Sequence, residues 1–208
     1  MFSLDSKFMR GMSRIADLVI LNLVYLLTCV PIVTVGAANA ALYTVCFRLG
    51  TEAEGSTVKD YFRAFRENFR QGTLLWLLFL LVGSAACVDI LLFSRLEGWM
   101  RWLSALFVVA LILVVMMFSY VFPLLSQFQN GCKSTLKNAL LLSVGYLPRT
   151  LLIGVLNVLP WVVMLTNLYL FLQAGILWLV FYFSAAAYLN ACLLRKVFAP
   201  YKHEEEAA

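Results

Sequence analysis

The chain has 208 residues, of which 63% are hydrophobic and 13% charged, with a formal net charge of +5. A soluble domain carries ~45–50% apolar and ~25% charged residues, so these proportions exclude a water-soluble single domain and require that much of the apolar surface meet lipid. The basic excess does not point to nucleic acid, because Lys and Arg stand mostly between apolar runs, where they read as membrane-surface charges.

A spanning helix takes ~20 apolar residues. The first apolar run, from Ile15 to Phe47, is too long for one helix and is broken at Pro31 and Gly36. It reads as two helices, at about 12–30 and 33–49, the second short enough either to span or to re-enter. Lys7, Arg10 and Arg14, with Ala38-Asn39-Ala40 downstream, imitate a secretory signal. The apolar stretch is longer than the ~7–15 residues of such signals and contains Asp17 and Asn22, so it is read as a retained span.

A polar segment follows, in which Phe62, Phe65 and Phe69 share one helix face while Arg63, Arg66, Glu67 and Arg70 fill much of the rest. This pattern predicts an interfacial helix over about 57–70, aromatics toward the acyl chains and arginines toward headgroup phosphates, with Thr57 and Asp60 near its N-cap. Spans are predicted at about 73–93 and 102–125. After a polar loop at 126–137, a second interfacial helix is predicted at about 135–147, then spans at 149–167 and 168–194. The result is one all-α, polytopic transmembrane domain, residues 1–194, followed by a polar tail, 195–208, expected to fray.

Ser56-Thr57-Val58-Lys59-Asp60 returns as Ser134-Thr135-Leu136-Lys137-Asn138, 78 residues later. If this echo marks a repeat, both short helices lie on one membrane face, since repeats of parallel sense share orientation. Charge selects the same arrangement. With six passes and the N-terminus inside, segments 1–14, 48–72, 126–137 and 195–208 hold 13 of the 16 Lys and Arg residues. A five-pass alternative with the N-terminus outside places 10 inside and 5 outside, and the positive-inside rule prefers six passes with both termini cytoplasmic.

Ionisable residues inside spans cost ~2.5–3.5 kcal/mol at the helix centre and invite a functional reading. Asp17 follows Arg14 by three residues, which predicts either an interfacial Arg14–Asp17 pair or a cation or partner site. Asp89 sits near the outer end of its span, where it snorkels to water or pairs with Arg95 or Arg101. Arg149, next to Pro148, marks an interfacial elbow on phosphates or a substrate contact. Asn22, Asn39, Asn157, Gln173 and Asn190 are expected to bond neighbouring helices at ~0.6–2 kcal/mol each. Ser184-Ala185-Ala186-Ala187 and Gly36 with Ala40 offer small faces for close helix packing. No paired carboxylates, P-loop, GxGxxG, HExxH, GxSxG or CxxC occurs, and His203, the single histidine, lies in the tail. No catalytic residue, cofactor or metal is therefore expected.

The string Arg10…Met12…Ala16-Asp17-Leu18…Leu21-Asn22-Leu23…Pro31-Ile32-Val33-Thr34-Val35-Gly36-Ala37-Ala38…Ala41-Leu42-Tyr43 resembles the YesL-like family of bacterial membrane proteins, domain of unknown function 624. Phe62 to Thr73 is similar to a second block of that family, and Ala139…Leu147-Pro148-Arg149-Thr150 matches in the C-terminal half. Tyr25 stands where many relatives have tryptophan. The resemblance implies a multi-pass bacterial cell-membrane protein of unassigned activity whose genes often neighbour carbohydrate ABC-transporter components. The functional expectation is a non-enzymatic accessory component of such an uptake system. Its partners would be the bilayer's anionic headgroups, contacted by Arg63, Arg66 and Arg70, and permease subunits, with no nucleic acid. The alternative is a small stand-alone transporter or channel with Asp17, Asn22 and Arg149 on its path.

Overall fold

The computed structural model describes residues 3–49, 55–94 and 101–206. Helices α1 (Ser3–Cys29) and α2 (Val35–Leu49) are joined by a 3-10 turn, Ile32–Thr34. Then come α3 (Thr57–Glu67), α4 (Phe69–Ser94), α5 (Arg101–Gln127), α6 (Cys132–Gly145), α7 (Leu147–Thr166), α8 (Leu168–Gln173) and α9 (Gly175–Leu177). A π turn, Trp178–Tyr182, leads into α10 (Phe183–Glu206). No strand occurs among the described residues.

Six stretches are long and apolar enough to cross a membrane: Gly11–Cys29, Ile32–Leu49, Phe69–Phe93, Ser104–Gln127, Leu147–Thr166 and Gly175–Tyr201. The chain is thus a multi-pass, all-α membrane protein. The second stretch is the hub of the bundle, with 61% of its apolar window buried against 17% for the third. Its sequence explains this position. Gly36, Ala37, Ala38, Ala40 and Ala41 let other backbones come close. A Cβ on Gly36 would stand 2.1 Å from the Gly72 carbonyl oxygen, so α2 and α4 touch backbone to backbone. The outer faces of α4, α5 and α7 keep large apolar side chains exposed, among them Leu81, Leu91, Leu106, Leu151 and Val155.

Three boundaries differ from expectation. The last span begins at Gly175 rather than at residue 168. Asn167 accepts the Leu170 N–H at 3.0 Å and starts a separate short helix, α8, which ends at Ala174. The C-terminal segment is not a frayed tail but continues α10 to Glu206. Its first turns are anchored, with Val197 and Phe198 buried and Phe198 packed against Phe47 and Phe128. Arg195 also donates to the Phe47 carbonyl at the end of α2, where a helix favours a cation. Finally, α3 stops at Glu67 because Asn68 folds its side-chain amide back onto the Ala64 carbonyl, 2.9 Å away.

The 78-residue echo has a structural counterpart. Under that offset the end of α2 (Leu49) meets the end of α5 (Gln127), and the break at Asn68 meets the break at Tyr146. Buried positions coincide as well: Thr57 with Thr135, Tyr61 with Ala139, Ala64 with Leu142 and Leu75 with Ile153. The unit α2–α3–α4 therefore recurs as α5–α6–α7. In each copy a short helix packs on the preceding span and feeds the next after a one-residue break.

Candidate functional site

The polar residues of the spans sort into two groups. The first ties α1, α2 and α3 together. Asp17, half-buried on α1, accepts from the Thr57 hydroxyl at 2.7 Å. Thr57 thus bonds across helices instead of capping α3, whose N-cap is Ser56. Arg48, at the end of α2, pairs with Asp60, which also holds Arg63 at 2.8 Å. Gly55 passes so close that a Cβ there would meet both Asp60 and Arg48 within 3 Å. Tyr61 is fully buried with its hydroxyl on the Thr28 hydroxyl, and that burial pushes its phenol above the ordinary value.

The face holding α3 to the protein is therefore Thr57, Tyr61 and Ala64. Phe62 and Phe69 remain on the uncovered side with Arg63, Arg66 and Arg70. Phe65 is half-buried and stacked on Tyr61. Asp89 is half-buried near the end of α4 and makes no ion pair among the described residues. Its expected partner Arg95 lies outside them, and nothing is described of the Arg101 side chain. Arg149 sits in the first turn of α7, where Pro148 starts the helix, with its guanidinium over the Tyr146 ring at 5.4 Å. Asp17 and Arg149 are not brought together on one path: Asn22 and Arg149 belong to different environments, and neither Asp17 nor Arg149 lines the central cavity.

The second group builds that cavity. It has a volume of about 290 Å³ and takes residues from all six spans. Tyr25 of α1 and Asn39 and Tyr43 of α2 contribute the polar side. Trp76 of α4 and Phe118 and Phe122 of α5 contribute an aromatic wall. Asn157, Pro160 and Trp161 of α7 face Tyr182, Phe183 and Ala186 at the start of the last span. Among the described residues, no charged side chain lines it.

Two backbone irregularities shape the site. Pro160 has no N–H, which leaves the carbonyl four residues earlier, on Leu156, without its helical donor. The Tyr182 hydroxyl takes that carbonyl at 2.7 Å. On the opposite side the ladder widens to a π turn at Trp178–Tyr182, a feature frequent at functional sites. Asn22, wholly buried, takes up the backbone groups that this turn puts out of register. Its Nδ2 donates to the carbonyls of Leu179 (2.7 Å) and Trp178 (3.3 Å), and its Oδ1 accepts from the Ser184 N–H at 2.9 Å. Tyr182, the last residue of the turn, and Phe183, the next, line the cavity wall.

The polar atoms are arranged in short chains. The Tyr25 hydroxyl donates to Asn39 Oδ1 at 3.2 Å. Asn190, buried behind the wall, donates to Asn157 Oδ1 at 3.0 Å and to the Tyr43 hydroxyl at 3.2 Å. Trp76 is fixed by its indole N–H on the Ile32 carbonyl at 2.7 Å and by its ring against Phe118.

Sequence reasoning placed Asn22 on a possible transport path as well as between helices, and noted Asn39, Asn157 and Asn190 only as interhelical bonding groups. It missed their convergence, along with Tyr25, Tyr43, Trp76, Trp161 and Tyr182. Pro160 in a span was a usable signal, since a proline there frees a carbonyl that some neighbour must satisfy. The small faces expected to allow close helix packing are used within the chain: Ala40, Ser184, Ala186 and Ala187 are buried, and Gly36 meets Gly72.

No curated protein and no solved structure matches the chain. Residues 18–90 match the family model described as protein of unknown function, DUF624. The match takes in most of the first N-terminal block and all of the second, and it leaves the C-terminal signature around Pro148 outside. The match runs from Leu18 in α1 through α2 and α3 and most of α4, and over these residues the chain is similar to the DUF624 family.

Proposed function

We propose that the chain is a non-enzymatic protein of the bacterial cell membrane, an accessory component of a carbohydrate ABC-uptake system. Both termini, α3 and α6 lie on the cytoplasmic side in this reading, and Arg63, Arg66 and Arg70 meet anionic headgroups there. The observation that carries it is an apolar groove between α5 and α7, about 540 Å³, lined by residues such as Ile112, Val115, Leu151, Val155 and Val158. A Cβ on Gly154, within the groove, would meet nothing. A partner helix can approach closely at such a glycine, and packing of this kind drives helix association in lipid.

Co-purification from the native host in mild detergent tests the reading. Permease subunits should accompany the wild-type chain and be lost with Gly154→Leu, while Leu81→Phe on α4 leaves them bound. Purification of the wild-type chain free of any permease subunit contradicts it. A second reading, a small stand-alone carrier, is favoured by the cavity at the centre of the six spans. It requires solute uptake by the purified chain in liposomes, abolished by Asn39→Leu in the cavity wall.

A further inference from the structure

We propose that the cavity at the centre of the bundle is a binding site for a single uncharged, hydroxyl-rich ring molecule of about monosaccharide size. The proposal needs no partner subunit and stands or falls separately from the accessory role.

Volume sets the first limit. At about 290 Å³ the space lies at the lower edge of the ~300–1,000 Å³ of typical ligand sites, enough for one small molecule. Charge sets the second. Among the described residues, no Asp, Glu, Lys, Arg or His lines the wall, so an ionic ligand would be stripped of water without a counter-charge. The third comes from unspent hydrogen-bonding capacity. Asn39 and Asn157 each use their carboxamide oxygen as an acceptor inside the protein. The Asn39 Nδ2 keeps both hydrogens for the cavity, and the Asn157 Nδ2, which reaches toward the Tyr43 hydroxyl, keeps one. The Tyr43 hydroxyl accepts from Asn190 and keeps its own hydrogen.

Three donors therefore face a site whose own acceptors are largely engaged, a pattern suited to a ligand rich in hydroxyl oxygens. The aromatic wall adds a flat surface. Trp76, held by its indole N–H and by Phe118, cannot easily turn away. Its negative ring face attracts the C–H face of a saturated ring. Trp161, exposed over much of its surface, stands at the mouth. An acyl chain would fill the volume but leave those donors unsatisfied, at about 1–3 kcal/mol for each buried group.

The test uses the full-length chain in phosphatidylcholine nanodiscs, with tryptophan fluorescence as the readout. The probes are a panel of neutral monosaccharides and cyclic polyols, each matched to its uronate and amino-sugar counterpart, with decanol as an apolar control. At least one neutral member should change the fluorescence saturably, and its charged counterparts should bind about tenfold or more weakly. Asn157→Leu should weaken that binding about tenfold, the loss of one good hydrogen bond, while thermal unfolding still shows a cooperative transition. If Asn157→Leu does not fold, Trp161→Ala at the exposed mouth takes its place, with a several-fold loss expected. Failure of every neutral probe overturns the proposal. So does equal binding of charged counterparts, or saturable decanol binding that Asn157→Leu leaves unchanged.

Discussion

Replacing Asn22 with leucine keeps the side-chain size near constant and removes every polar contact between α1 and the π turn. Two donated bonds, to Leu179 and Trp178, and one accepted bond, from Ser184, disappear. Interhelical hydrogen bonds in membranes average ~0.6 kcal/mol each, which gives about 2 kcal/mol for the three. The Ser184 N–H is then stranded in a fully buried site, which adds about 1–3 kcal/mol unless the π turn relaxes. The expected cost is about 2–5 kcal/mol, with relaxation of the turn at the low end. Reversible unfolding in mixed micelles measures it, with Leu23→Ala on the exposed side of α1 as a control of small effect. Trp178 belongs to the turn and donates its indole N–H to the Phe171 carbonyl at 3.1 Å, so its emission should shift in the same variant. A cost below about 0.5 kcal/mol with unchanged emission would refute the claim that Asn22 holds the turn.

Gly36→Ala and Gly72→Ala should each cost about 1–3 kcal/mol through overpacking, since their Cβ atoms would meet backbone at 2.1 and 2.9 Å. Gly83→Ala, where a Cβ meets nothing, should be neutral or slightly stabilising in the same unfolding assay. Asp60→Asn should cost about 1–3 kcal/mol, less than the 3–5 of a fully buried pair, because Arg48 and Asp60 keep 19% and 17% of their side-chain surface exposed. A double-mutant cycle with Arg48→Met should return a coupling energy well above zero, and a coupling within error of zero counts against the pair. The raised Tyr61 phenol makes the neutral ring the folded form, so its contribution is complete below the ordinary value of 10.0 and declines as pH rises beyond it. Tyr61→Phe should therefore cost little at pH 7, since Thr28 keeps the Val24 and Tyr25 carbonyls. Its stability should then fall less than wild type above pH 10, and parallel curves would exclude Tyr61 as the titrating group.

The spans were legible because ~20-residue apolar runs separated by charge leave few alternatives. The π turn and α8 were not: Gln173 and Gly175 are weak interruptions of the apolar run, and the π turn is stabilised by Asn22, 156 residues away from Trp178. The same holds for the C-terminal helix: its polar composition suggested fraying, while its order comes from Val197 and Phe198 meeting Phe47 and Phe128. In α3 the phenylalanine stripe is the louder pattern, yet Thr57, Tyr61 and Ala64 make the contact, since Gly- and Ala-rich α2 has room for them. The echo at offset 78 was visible only over five residues. Its structural extent, from helix ends to buried positions, lies in burial rather than residue identity. The cavity was invisible for a related reason: its residues are spaced along six helices with no local motif.

The arrangement of six passes, with both ends and both short helices on one face, is tested most directly by single cysteines in a cysteine-free background. Placed at Gly11, Arg66, Lys137 and Tyr201, all exposed, they would be challenged with a membrane-impermeant maleimide on intact cells and again after lysis. All four should stay unlabelled until the membrane is opened. Labelling of position 11 on intact cells while position 201 remains protected would contradict the six-pass account.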